Sequence, residues 1–172
     1  MDLNDMRIVK DFAIWFKSTF DRLDILLNNA GIYYSLGYNE VTIQKIEKII
    51  GVNHYGHFLL TNLLLDVIKK TPESRIVNVA SFVHTGGNLD YVITKTKTGV
   101  GNKDSYSASK LCNILFTKYL ANTLKEEGHS NVKICTLHPG VCRTNIFDLS
   151  LPFVFLIHYF YPIWHLFTKS SS

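Results

Sequence analysis

The chain has 172 residues, and a usual domain spans roughly 100 to 200, so it is one domain or a piece of one and not a two-domain enzyme. With 47% apolar and 19% charged residues it can build a core, which excludes an intrinsically disordered chain. Lys and Arg number 18 against 14 Asp and Glu, a net charge of +4. Without a dense basic run that balance argues against nucleic acid as a partner.

In chain order, the first ten residues carry Asp2, Asp5, Arg7 and Lys10 and no apolar run of signal-peptide length, so no secretory leader is expected. Residues 11–20 predict a helix. Residues 23–27 form the first short apolar, β-branched run, 75–79 the second and 132–137 the third. Such runs suit strands covered on both faces, as in a parallel sheet. Helical patterns over 42–69 and 106–125 lie between them, and the alternation predicts an α/β fold with right-handed crossovers and an open, doubly wound sheet. Three cysteines, Cys112, Cys135 and Cys142, make an odd count without paired spacing, which predicts free thiols in a reducing compartment. Cys135, His138 and Cys142 lack a fourth ligand for structural zinc, and no metal is expected.

In the 42–69 helix, Ile43, Ile46, Ile50, Asn53, His57, Leu60, Leu64 and Val67 follow one stripe near the helical period. Asn53 and His57 interrupt its apolar character. A buried Asn must find partners, and the plainest reading is a satisfied core amide with a local helix distortion at Gly51 or Gly56.

Tyr106 and Lys110 stand four apart at the start of the third helix, so they share one face. An ammonium near a phenol favours the phenolate and brings a Tyr toward proton transfer at neutral pH. The spacing alone is weakly specific, but its neighbours strengthen it. Ser81 follows the run at 75–80, at the carboxyl end of a strand, where open α/β sheets place ligands. The sequences Asn28-Asn29-Ala30-Gly31 and His138-Pro139-Gly140-Val141 end the other two runs. Three strand ends and one helix start therefore meet at one rim.

In this order and approximate spacing, Asn28-Asn29-Ala30-Gly31, Asn53 with its flanking residues 52–57, the strand ending at Ser81, Tyr106-Ser-Ala-Ser-Lys110 and His138-Pro139-Gly140 resemble the short-chain dehydrogenase/reductase family. The residues after Asn53 and the 24-residue interval between Ser81 and Tyr106 resemble its retinol dehydrogenase branch. The resemblance covers about residues 1–150. It implies that Tyr106 donates or accepts the proton at the substrate oxygen and that Ser81 hydrogen-bonds that oxygen. It further implies that Lys110 holds the nicotinamide ribose and lowers the Tyr106 pKa, and that Asn53 orders a water or a backbone group in a proton relay. Asn28, Ala30 and Gly31 would lie along the adenosine side and the diphosphate. Pro139, Gly140 and Thr144 would border the nicotinamide, and Asp2 with Leu3 would meet the adenine. His57 and His138 are read as packing residues.

The implied fold is a partial doubly wound, Rossmann-type parallel sheet lacking the first βαβα unit and the last strand of a complete member. No glycine-rich strand–turn–helix precedes the motifs, although that unit normally receives the pyrophosphate. The implied function is an NAD(P)-dependent oxidoreductase interconverting an apolar alcohol and its carbonyl, retinol-like or lipid-derived, with NADP as cofactor and NAD as the alternative. The competing reading is a truncated, inactive fragment or pseudoenzyme unable to bind dinucleotide. Residues 1–148 would form the cofactor-binding and catalytic portion, and 149–172 an apolar lid or membrane-contact segment. From 149 to 168 there is no Asp, Glu, Lys or Arg, and 14 of the 20 residues are apolar or aromatic. That length is near the roughly 20 residues of a membrane span. Pro152, His158, Pro162 and His165 favour a lid touching a membrane surface instead. The expected location is intracellular, at the endoplasmic reticulum membrane or in the cytoplasm.

Overall fold

The computed structural model describes residues 1–33, 40–95, 103–143 and the short strand Thr168–Ser170. Thr144 and nearly all of the apolar segment 149–172 lie outside the described residues, and so do the proposals attached to them. Among the described residues, no helix is long and apolar enough to cross a membrane.

Three strands build the sheet: β1 (Ile25–Asn28), β2 (Ser74–Val79) and β3 (Val132–Leu137). They are parallel in the order β1-β2-β3, with Leu27 opposite Val77 and Val77 opposite Cys135. All three predicted strands are present, within a residue or two at their ends. Two backbone strands, β4 (Val141–Arg143) and β5 (Thr168–Ser170), form a separate parallel pair.

Helix α1 (Met6–Thr19) starts five residues before the apolar pattern alone predicts. Asp5 caps it, its carboxylate accepting from the Arg7 amide at 2.9 Å, which satisfies an amide that a helix start leaves open. The long predicted helix starts late instead. Thr42 N–H donates to Ile46 O at 2.7 Å and Lys45 takes φ 61°, so 42–46 is a turn. Glu47 then caps α2 (Lys48–Ile50), accepting from the amides of Ile49 and Ile50. The helix continues through a π-helical stretch, Gly51–Gly56, into α3 (His57–Lys70). The expected distortion is therefore a π segment bounded by the two glycines. After β2 come a 3₁₀ turn (Phe82–Gly86), α4 (Leu89–Lys95) and the long α5 (Lys103–Glu126).

Leu26, Ile76 and Val132 from the sheet pack with Val9, Leu60, Leu64, Ile68, Phe116, Leu120 and Leu124 from α1, α3 and α5 in one core. Among the described residues nothing covers the other sheet face, whereas the apolar runs suggest cover on both sides. Ile25 and Leu27 are 59% and 57% exposed, while Leu26 and Asn28 between them are buried. The cause is topological. Strands added successively in one direction through right-handed crossovers place every connecting helix on the same face.

Candidate active site

The carboxyl ends of β1, β2 and β3 bring the loops at 29–33, 80–87 and 138–140 to one rim, and the start of α5 closes it. Gly87 fixes the second loop against this helix, since a Cβ there would stand 2.7 Å from Ser107 O and 2.9 Å from Leu111 Cβ. Only glycine permits so close an approach. Ser81, half-buried at the head of the 3₁₀ turn, lies near enough to the Tyr106 phenol to influence its ionisation. Its carbonyl faces His84 Nδ1 at 2.7 Å.

Lys110 is 3% exposed. Its ammonium donates to Val79 O at 3.0 Å and lies 5.4 Å from the centroid of the Tyr106 ring. Tyr33 packs edge-on against the same ring, with centroids 5.1 Å apart. Burial pushes the Tyr106 phenol above its ordinary value; the Ser81 side chain opposes this and the neighbouring Tyr33 adds to it. The expected lowering by Lys110 is thus corrected. The ammonium sits over the ring, and desolvation prevails.

Burial pulls Lys110 down to about 8. The native state therefore binds fewer protons than the unfolded chain between about pH 8 and 10.5, so stability rises with pH across that window. Below it, keeping the ammonium buried and charged costs on the order of 3 kcal/mol. Lys110→Met is expected to raise the urea midpoint at pH 7, less about 1 kcal/mol for the lost Val79 bond. It should also flatten the rise between pH 8 and 10, which urea titrations at both pH values would read.

Asn53 is fully buried. Its Oδ1 accepts from Ile32 N–H at 2.8 Å, and its Nδ2 donates to Ile32 O at 2.9 Å and to Ser109 Oγ at 3.3 Å. Of the two partners expected for it, a water or a backbone group, the carboxamide holds the backbone of Ile32. Gly31 stands beside this clamp: a Cβ there would be 3.4 Å from Asn53 Oδ1 and 3.6 Å from Lys110 Nζ. The structure thus brings together Asn53, Ser81, Tyr106, Lys110 and Gly31.

The other expected cofactor residues are placed less uniformly. Ala30, Pro139 and Gly140 are exposed at the rim, and Gly140 has φ 81°. The Asn28 side chain instead points inward, its Nδ2 donating to Thr61 Oγ1 at 2.9 Å and Asn78 Oδ1 at 2.7 Å. Asn78 in turn donates to Thr117 Oγ1 at 2.7 Å. Asn28 therefore ties β1 to β2 and α3, and its carboxamide is not turned to the rim. Leu3 is buried against Gly56, while Asp2 is exposed and accepts from Asn4 N–H at 2.8 Å. Of the two histidines read as packing residues, His57 is buried, and desolvation pulls it down to about 4. His138 stacks edge-on with Phe82.

The Lys110 ammonium fits the ribose of a dinucleotide. Lys110 has three donors and one acceptor on them among the described residues, leaving two for the hydroxyls of a ribose. Gly31 puts no side chain against the ammonium, since a Cβ there would stand 3.6 Å from Lys110 Nζ.

The family model described as short chain dehydrogenase matches residues 1–151. Retinol dehydrogenase 13 of Homo sapiens is 41% identical over 147 residues, which is 85% of this chain and 43% of that protein. Retinol dehydrogenase 14 of Mus musculus is 42% identical over 146 residues, 85% of this chain and 42% of that protein. An uncharacterized protein from Mycobacterium paratuberculosis superposes with a TM-score of 0.66 at 36% identity, covering 85% of this chain and 51% of its own. The chain thus spans less than half the length of the curated relatives it matches. With the parallel sheet, the rim and the clustered Ser81, Tyr106 and Lys110, these matches show that the chain belongs to the short-chain dehydrogenase family.

Proposed function

We propose that these residues form the catalytic part of an NAD(P)-dependent oxidoreductase that interconverts an apolar alcohol and its carbonyl, a retinoid-like or lipid-derived substrate. The observation that carries the reading is the convergence of Ser81, Tyr106 and a nearly inaccessible Lys110 ammonium at the carboxyl rim of the sheet. Burying an ammonium opposes folding, and a group kept there at that cost marks a functional site.

When bound, the nicotinamide supplies the hydride chemistry at the substrate carbon. The chain's own residues do the rest. Ser81 holds the substrate oxygen beside the Tyr106 hydroxyl, and Tyr106 passes the proton to or from that oxygen. Its raised pKa keeps the phenol protonated at neutral pH, which suits donation to a carbonyl being reduced. Lys110 holds the ribose with its two remaining donors. Asn53 fixes the loop at 29–33, whose Ala30 and Gly31 would run along the cofactor, and Pro139 and Gly140 would border the nicotinamide. NADP as the preferred cofactor is part of this proposal and rests on resemblance.

The test joins a glycine-rich strand–turn–helix unit ahead of Met1 and measures nucleotide oxidation with all-trans-retinal, a long-chain aldehyde and a short polar aldehyde. Turnover that favours the apolar carbonyls is the expected result. Inactivity with both NADPH and NADH on all three would overturn the reading.

The segment 149–168 is proposed as a lid that attaches the protein peripherally to membranes, because its aromatic residues favour the water–bilayer boundary. Cell fractionation should find the protein in the membrane pellet and release it with alkaline carbonate. Recovery entirely in the soluble fraction at low salt would remove this proposal, and resistance to carbonate would replace it with a spanning segment.

A further inference from the structure

One helical turn beyond Lys110, Asn113 is 4% exposed and engages two groups outside its own helix. Its Nδ2 donates to the main-chain oxygen of Asn53 at 3.0 Å, and its Oδ1 lies 2.9 Å from His54 Nδ1. A carbonyl only accepts, so the nitrogen of the carboxamide must face Asn53 and its oxygen must accept the Nδ1–H of a neutral His54. Burial depresses the His54 pKa and keeps that ring neutral.

The same Asn53 oxygen meets His57 Nδ1 at 3.1 Å. Two side-chain donors therefore converge on a carbonyl that an α-helix offers to the amide four residues on. Insertion of a side chain into that ladder is a known cause of local helix distortion, and Asn53 lies inside the π segment Gly51–Gly56. In this register the Asn53 carboxamide grips both backbone groups of Ile32, next to Gly31 and Lys110 Nζ.

We propose that Asn113 is a positioning residue: by occupying the Asn53 carbonyl and the His54 ring it holds the π register, and through Asn53 it sets the placement of the 29–33 loop against Lys110. This deepens the proposed function, on which only its catalytic consequence rests. The chain of hydrogen bonds runs from α5 through the π segment to the loop after β1, so one helix carries Tyr106, Lys110 and the group that fixes their opposite wall.

The Ile32 amide is the direct readout, because its partner is Asn53 Oδ1. Residue-resolved amide exchange of the 172-residue chain, in a mild non-ionic detergent that covers the open sheet face, would follow it in three variants. Asn53→Ala deletes the acceptor and calibrates full loss. Asn113→Leu removes both hydrogen bonds at similar size, and Asn113→Asp keeps the acceptor for His54 but, when ionised, loses the donor to Asn53. Both Asn113 variants are expected to speed exchange at Ile32 at least tenfold, toward the Asn53→Ala value, while the amides of β2 and of α5 beyond Leu120 keep their protection. An Ile32 amide as slow as in the parent overturns the proposal, and so does a uniform loss of protection across β2 and α5, which would mark Asn113 as merely structural. In the protein extended with the glycine-rich unit, Asn113→Leu should raise the KM for NADPH severalfold with a smaller change in kcat. If that parent shows no turnover, the oxidoreductase reading fails, while the exchange result still decides the role of Asn113.

Discussion

Replacing Tyr106 by Phe in the chain extended with a glycine-rich unit should lower kcat by about 10²- to 10⁴-fold, the usual contribution of a positioned general acid or base. Nucleotide affinity should be nearly unchanged. The substitution removes one hydroxyl, and the hydroxyl is the group whose ionisation Ser81 influences. The ring remains, with its edge-on packing against Tyr33 and its place beneath the Lys110 ammonium, so the fold of the site and the donors left for a ribose are preserved. Steady-state rates and NADPH fluorescence titration separate the two effects. Activity within tenfold of the parent would take Tyr106 out of the proton-transfer role. Ser81→Ala should cost less, because Tyr106 keeps its proton and the substrate oxygen loses one hydrogen bond rather than its proton donor.

Much of this site was readable from residue patterns, and the parts that were not have a common cause. The strands stood out because β1, β2 and β3 are short apolar runs ended by Asn, Ser or His-Pro-Gly. Asn53 stood out as a polar residue on an apolar stripe, and the glycines beside it pointed to a distortion that proves to be a π segment. The same signal marks Asn113 and Thr117 on α5, which share a face with Lys110 and are both buried; reading that face for buried polar groups would have found them. Three features depended on three-dimensional surroundings that spacing does not encode. The cap at Asp5 competes with the start of the apolar stripe and moves the helix start forward. Asn28 turns inward because Thr61 and Asn78 offer partners there. The direction of the Tyr106 shift follows burial, which outweighs an ammonium placed over the ring rather than at the hydroxyl.

Expressed alone, the 172-residue chain is expected to self-associate through the open face of its sheet. Leu27, Val77 and Cys135 are in register across the three strands. Leu27 is 57% exposed, Cys135 is exposed, and Leu137 beyond them is 41% exposed. This apolar row crosses the middle of the face, whereas the neighbouring row of Ile25 carries Arg75 and Lys133 opposite it. An apolar row on an uncovered sheet invites a second surface to bury it. Covering a leucine is worth about 2 kcal/mol, or roughly thirtyfold in a dissociation constant. Leu27→Lys should therefore shift the chain from oligomers toward monomer in sedimentation velocity at micromolar concentration. Tyr119→Lys provides the contrast, since Tyr119 is 68% exposed on α5, on the helical side. It should leave the distribution unchanged. Monomer appearing with Tyr119→Lys and not with Leu27→Lys would place the association on the helices, and a parent chain that is already monomeric would show that the open face needs no cover.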